Sequence, residues 1–182
     1  VESSHGYQSY RGIYALREAF SNFYKSTYKV ALNPDTEILP LIGSKEGIVH
    51  ISLAFLNNGD KVLVPDPGYL AYSAAAKIAG AEVQKYNLKE GSWEPDWEAL
   101  EKMDWTKIKL WWLNYPNMPT GATASIKIFE KIKDLALRKK VLVVNDNPYS
   151  LVLNKESPKS LLSVVGGKDF ALELNSLSKS HN

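Results

Sequence analysis

Asp146 and Tyr149 stand three residues apart, directly after the apolar run Val141-Leu142-Val143-Val144. A carboxylate at the end of a buried strand needs a cationic partner, and a protonated ring nitrogen would serve. Tyr149 can donate to an oxygen on the same ring. Gly43-Ser44-Lys45 opens a segment of helical periodicity, where free N–H groups and the positive end of the helix dipole suit a phosphate. The Ser176 hydroxyl can add to that cradle. Tyr69, behind Pro65-Asp66-Pro67-Gly68, offers a flat face on which a ring can stack. Lys179 is an amine in a polar turn, placed to form an imine with a carbonyl. Asn117, between Pro116 and Pro119, is either a ring-hydroxyl donor or a turn former.

Each of these residues also has a plainer reading. Lys179 alone would be a solvated lysine, Asp146 a turn former ahead of Asn147-Pro148, Tyr149 and Tyr69 packing residues, and Ser44 only a helix cap. What distinguishes the readings is where the surrounding elements place these residues. Ile13, Leu16, Phe20, Phe23 and Tyr24 step by three and four, which predicts a helix over 12–29. Further helices are predicted over 45–56, 69–79, 96–103 (with Asp96 as N-cap) and 125–139. Strands are predicted over 37–42, 61–64, 82–88, 107–113, 141–144 and 170–174. Strands alternating with helices argue an α/β fold, a mostly parallel sheet flanked by helices. The consecutive Trp111 and Trp112 must point to opposite faces of their strand, so both faces there are covered. In such sheets ligands bind beyond the carboxyl ends of the strands, which is where Gly43–Lys45, Tyr69, Asn117, Asp146, Tyr149, Ser176 and Lys179 fall.

Composition removes the competing classes. The 182 residues are 45% hydrophobic, with 22 basic against 20 acidic side chains. That length buries about 70% of the surface of the unfolded chain, so disorder is not expected. No basic run is interleaved with aromatics, so nucleic-acid binding has no electrostatic support. With no cysteine, a disulfide scaffold, a thiolate metal site and a cysteine nucleophile are excluded. His5, His50 and His181 are too scattered for a metal site. No stretch approaches the ~20 apolar residues of a membrane span. Neither G-x-G-x-x-G nor G-x-x-x-x-G-K-[ST] occurs, which disfavours an ordinary nucleotide-binding domain.

A phosphate cradle, a carboxylate for a protonated ring, a donor for a ring hydroxyl and an amine for an aldehyde together describe pyridoxal 5'-phosphate (PLP). The sequence resembles the class I/II aminotransferases of PLP fold type I. The matching stretches are HGYQSYRGI (5–13), GSKEG (43–47), PDPGY (65–69), NYPNMPTGA (114–122), DNPY (146–149) and SLSKSHN (176–182), in family order. HGYQSYRGI and DPGY are most similar to the branch with LL-diaminopimelate, alanine and some aspartate aminotransferases. The resemblance implies that Lys179 bonds the cofactor aldehyde and later shuttles the proton. It implies that Asp146 pairs with the pyridine nitrogen and Tyr149 bonds the ring hydroxyl. Ser44, Lys45 and Ser176 would hold the phosphate, with Tyr69 stacked on the ring. Tyr7 would reach the phosphate of the neighbouring subunit in a homodimer. The implied activity moves an amino group between an amino acid and a 2-oxo acid in the cytoplasm. A PLP-dependent C–S lyase, or a non-catalytic PLP-binding regulatory or truncated domain, is the alternative.

Two departures stand out. The family has Asn directly before Pro-Thr-Gly, where this chain has Met118. Either Asn117 substitutes through a backbone shift, or that bond is lost and Tyr149 acts alone. The family also continues past the lysine to a phosphate-clamping arginine and a small domain, whereas Lys179 is three residues from the last, Asn182. Residues 1–182 are therefore expected to form part of a large PLP-binding domain without the small C-terminal domain. In the family a further strand lies inside the sheet, between the first and last strands here. The isolated 182 residues are accordingly expected neither to fold stably nor to be active.

Overall fold

The computed structural model describes residues 6–7, 9–152 and 156–181. His5 and Asn182, the outer ends of the first and last motifs, lie outside them. The chain divides into two compact units, residues 1–42 and 43–182.

In the first unit, helix α1 (Tyr14–Tyr28) ends on Lys29 in the left-handed conformation, φ 62°. Phe23, Tyr24 and Tyr28 pack their rings edge-on or tilted at 4.9–5.9 Å. Arg17 is buried on α1, and its charge is fully engaged. The guanidinium donates to the carbonyls of Gly12 (2.6 Å) and Pro34 (2.8 Å) and meets Asp35 Oδ1 at 2.9 Å. Residues 37–42, expected as a strand, form none. A strand exists through its ladder, and among the described residues no strand pairs with this segment. Pro40 removes a donor as well. The apolar run ILPLI reads as a strand by composition, but its Leu39, Leu41 and Ile42 side chains are exposed.

The second unit is a five-stranded sheet of order β2-β1-β3-β4-β5. The strands are β1 (Lys61–Asp66), β2 (Glu82–Asn87), β3 (Ile108–Leu113), β4 (Leu142–Asn147) and β5 (Ala171–Asn175), and every pair is parallel. Helices α2 (Ser44–Phe55), α3 (Leu70–Ile78), α4 (Trp97–Lys102) and α5 (Ile126–Lys139) lie within half a turn of their expected limits. Asp96 caps α4 by accepting from the Ala99 N–H. A 3-10 turn over Leu161–Ser163 and the short helix α6 (Gly167–Phe170) were not expected. They are too short to show a period, and α6 takes Phe170 from the predicted last strand.

Two cores explain the near-continuous apolar strands. On one face Trp111 packs with Leu63, Tyr86 and Val143 beneath Phe129, Ile132 and Leu135 of α5 and Leu100 of α4. On the other, Trp112 packs with Val62, Val64 and Val144 beneath Ile48 of α2 and Tyr72, Ala75 and Ala76 of α3. Both tryptophans have no exposed surface, as their opposite orientation predicts. Each fully buried Leu, Ile or Val here contributes ~1.5–3 kcal/mol. The chain runs β1 to β2 in one direction and β3, β4, β5 in the other, so the strand order reverses between β1 and β3. The carboxyl ends of those two strands mark the crevice where such sheets take ligands. Among the described residues no helix is long and apolar enough to cross a membrane.

Candidate active site

A cavity of about 400 Å³ opens at the carboxyl ends of β1, β3, β4 and β5. Ser44, Lys45, Tyr69, Asp146, Tyr149, Ser176 and Lys179, seven of the nine residues singled out in the sequence, line it. Asn117 does not, and Tyr7 belongs to the first unit, where it is fully exposed.

The phosphate side is the start of α2. Gly43 sits at the N-cap in extended conformation, and no side chain caps the helix. The first N–H groups of α2, at Ser44 and Lys45, have no acceptor within the helix, and both residues line the cavity. Ser176 lies just past β5, its Oγ accepting from the Ser178 N–H at 3.2 Å. The turn that follows is closed by the His181 N–H on the Leu177 carbonyl at 2.8 Å, and it presents an exposed Lys179 to the cavity.

Asp146, near the end of β4 and 4% exposed, lines the same cavity. Its Oδ2 accepts from the Tyr72 hydroxyl at 2.9 Å, while Oδ1 is buried with no partner among the described residues. Desolvation raises the carboxyl to about 6, and the Glu173 charge adds to this. The Tyr72 hydrogen bond acts against both. A buried, half-satisfied carboxylate on a cavity wall is what a ring N–H⁺ would complete. The residues therefore fit the ring, phosphate and aldehyde of PLP on chemical grounds.

Tyr69 is the N-cap of α3, half-buried on the cavity wall, with its ring edge-on to Tyr72 at 5.7 Å. Gly68 puts it there. A Cβ at Gly68 would stand 2.5 Å from the Pro65 carbonyl oxygen and 2.8 Å from Pro65 Cγ. Gly68→Ala is therefore expected to cost ~1–3 kcal/mol through overpacking. A urea midpoint that falls accordingly, together with weakened cofactor binding, would verify this.

Met118, not Asn117, reaches the cavity. Asn117 is buried in its own turn, where its Oδ1 accepts from the Thr120 N–H (3.3 Å) and Oγ1 (2.8 Å). It lines instead an adjoining cavity of about 630 Å³ with Tyr115 and Phe129, which shares Met118 and Tyr149 with the first. The Met118 sulfur is 3.8 Å from the Tyr149 hydroxyl. A thioether is a weak acceptor, so that hydroxyl keeps its donor for a better one.

Two cavity residues escaped the sequence reading. Tyr72 falls one helical turn after Tyr69, a spacing that puts both on one face, and that spacing was the available signal. Asn114 is the first residue past β3. It is 2% exposed, its Nδ2 donates to the Asp146 carbonyl at 2.8 Å, and its Oδ1 accepts from the Met118 N–H at 2.7 Å. It thereby fastens the loop after β3 to the strand carrying Asp146.

Residues 2–182 match the family described as Aminotransferase class I and II. An LL-diaminopimelate aminotransferase of Dehalococcoides mccartyi is 43% identical over 182 residues, covering 99% of this chain and 47% of that protein. That of Aquifex aeolicus is also 43% identical, over 98% of this chain and 47% of its own. Among solved structures, substrate-bound BacF of Bacillus subtilis superposes with a TM-score of 0.91 at 37% identity, covering 97% of this chain and 45% of that one. A probable N-succinyldiaminopimelate aminotransferase of Thermus thermophilus gives 0.90 at 34% identity, over 98% and 48%. The chain spans about half the length of the curated relatives it matches.

Proposed function

Because this chain belongs to the class I and II aminotransferases, a PLP-dependent family, we propose that its cavity is the PLP site of an enzyme that moves an amino group between an amino acid and a 2-oxo acid. The observation carrying this is the buried Oδ1 of Asp146, without a partner among the described residues, in the cavity that Lys179 also lines. Residues 1–182 then form part of the large, cofactor-binding domain, and the small domain belongs to the remainder of the family's length. We propose further that the protein acts as a homodimer in the cytoplasm. Tyr7, fully exposed, is assigned to the phosphate of the neighbouring subunit.

When bound, PLP supplies an electrophilic carbonyl carbon and a ring that takes up electron density from the substrate. The chain's residues do the rest. Asp146 Oδ1 accepts the ring N–H and holds that proton in place, which keeps the ring electron-poor. Tyr69 covers one face of the ring. The Ser44 and Lys45 N–H groups and the Ser176 hydroxyl hold the phosphate, so the ring cannot slide. Tyr149 donates to the ring oxygen, and with Met118 in the neighbouring position it does so without an asparagine. The Lys179 amine would anchor the cofactor through its carbonyl carbon and, once displaced from that carbon by the substrate amine, would be free to remove the Cα proton as a general base.

A single-turnover experiment separates the readings. Holoprotein mixed with an amino acid and no acceptor should yield one equivalent of 2-oxo acid and leave the cofactor aminated. Continued release of ammonia and 2-oxo acid from a cysteine conjugate, with the cofactor unchanged, would establish the C–S lyase instead. If neither product appears, the site is not catalytic.

A further inference from the structure

Tyr72 is fully buried on α3 at 1% exposure. Its ring lies parallel to Trp112 of β3, 4.9 Å between centroids and 9° between planes, and edge-on to Tyr69 at 5.7 Å. A phenol clamped on two sides has no rotational freedom to spare. Its hydroxyl makes one hydrogen bond, to Asp146 Oδ2 at 2.9 Å. Burial and the nearby Asp146 charge push the phenol far above its ordinary value, so it is a permanent donor and never a competing anion.

Two consequences follow for Asp146. One carboxylate oxygen is committed to Tyr72, whose ring is held by the stack on Trp112, so Oδ1 remains for a ligand. A donor on Oδ2 also favours the ionised carboxylate, against the desolvation and the Glu173 charge that oppose it. The other titratable groups on this cavity are Lys45, Tyr69, Tyr149 and Lys179. Among the described residues, none of them is hydrogen-bonded to Asp146.

We infer that Tyr72 is a positioning residue for the cofactor ring: its hydroxyl keeps Asp146 ionised and aimed, so that Asp146 can hold the ring N–H⁺. This rests on the PLP reading of the cavity, but its first test does not need the cofactor. In the cofactor-free full chain labelled with 13C at aspartate carboxyls, the Asp146 signal should titrate near pH 6. In Tyr72→Phe, which keeps the stack and loses only the hydroxyl, the midpoint should rise by about one pH unit. Placing 3-fluorotyrosine at position 72, nearly the same size but a stronger donor, should lower it. The second readout is pyridoxamine phosphate, which makes no bond to Lys179. Its affinity at pH 8 should fall about tenfold in Tyr72→Phe. An Asp146 midpoint that stays put in both variants overturns the inference, even if affinity falls, because a merely structural tyrosine would lower affinity without moving the titration. Wild-type chain that titrates as stated but does not bind pyridoxamine phosphate would overturn the PLP reading and, with it, the ring-positioning role.

Discussion

Lys179→Ala is expected to lower transamination by at least ~10³-fold while leaving the fold intact. The size follows from what the amine does. A positioned general base contributes ~10²–10⁴-fold by itself, and the same nitrogen also anchors the cofactor carbonyl, so both are lost together. The fold should survive because Lys179 is an exposed residue of a turn whose closing bonds are backbone ones, such as the His181 N–H on the Leu177 carbonyl. Changes to exposed side chains away from packed features are usually within about ±0.5 kcal/mol. The check is turnover beside a urea melt of the same preparation. Methylamine should restore part of the activity as an external base. A variant that keeps more than a tenth of wild-type turnover would remove Lys179 from the mechanism.

Asp146→Asn should have two large effects of opposite sign. In the cofactor-free protein it should stabilise the fold at pH 8. Native Asp146 keeps its proton to about pH 6, whereas its ordinary value is 3.8. Between those values the native state binds more protons than the unfolded one, so stability falls as pH rises through the window and stays low above it. A shift of that size corresponds to ~3 kcal/mol, and the neutral amide escapes it. The variant should therefore gain ~2–3 kcal/mol over wild type at pH 8, and the gain should shrink to ~0.5 kcal/mol at pH 4, close to the ordinary carboxyl value, where native Asp146 is protonated. Function should move the other way. The amide cannot hold a ring N–H⁺, so turnover should fall by at least ~10²-fold. Urea melts at both pH values, paired with turnover, check both halves. A stability difference independent of pH would contradict the buried-charge account.

The helix and strand periods of the second unit were legible because its central strands are largely apolar runs bounded by turn residues, as in Val141–Val144 and, with Lys109 as the exception, Ile108–Leu113. The candidate site was legible because its polar residues follow those runs directly. Residues 37–42 misled because composition reports apolarity, whereas a strand also requires a ladder partner. Asn117 misled for a related reason. One residue decides which side of a turn faces the cavity, and the bonds from Thr120 that hold Asn117 inward arise between side chains the sequence does not orient. Tyr72 was invisible as a functional residue until α3 was placed on the sheet. Its spacing from Tyr69 shows a shared face, but only the packing of that face on Trp112 brings its hydroxyl to Asp146.

Borohydride reduction of the holoprotein, followed by peptide mass mapping, tests the central claim most directly. The account predicts one pyridoxyl group per chain, on Lys179, in the peptide that contains Ser176. A pyridoxyl group on another lysine, or none on the chain, would contradict it.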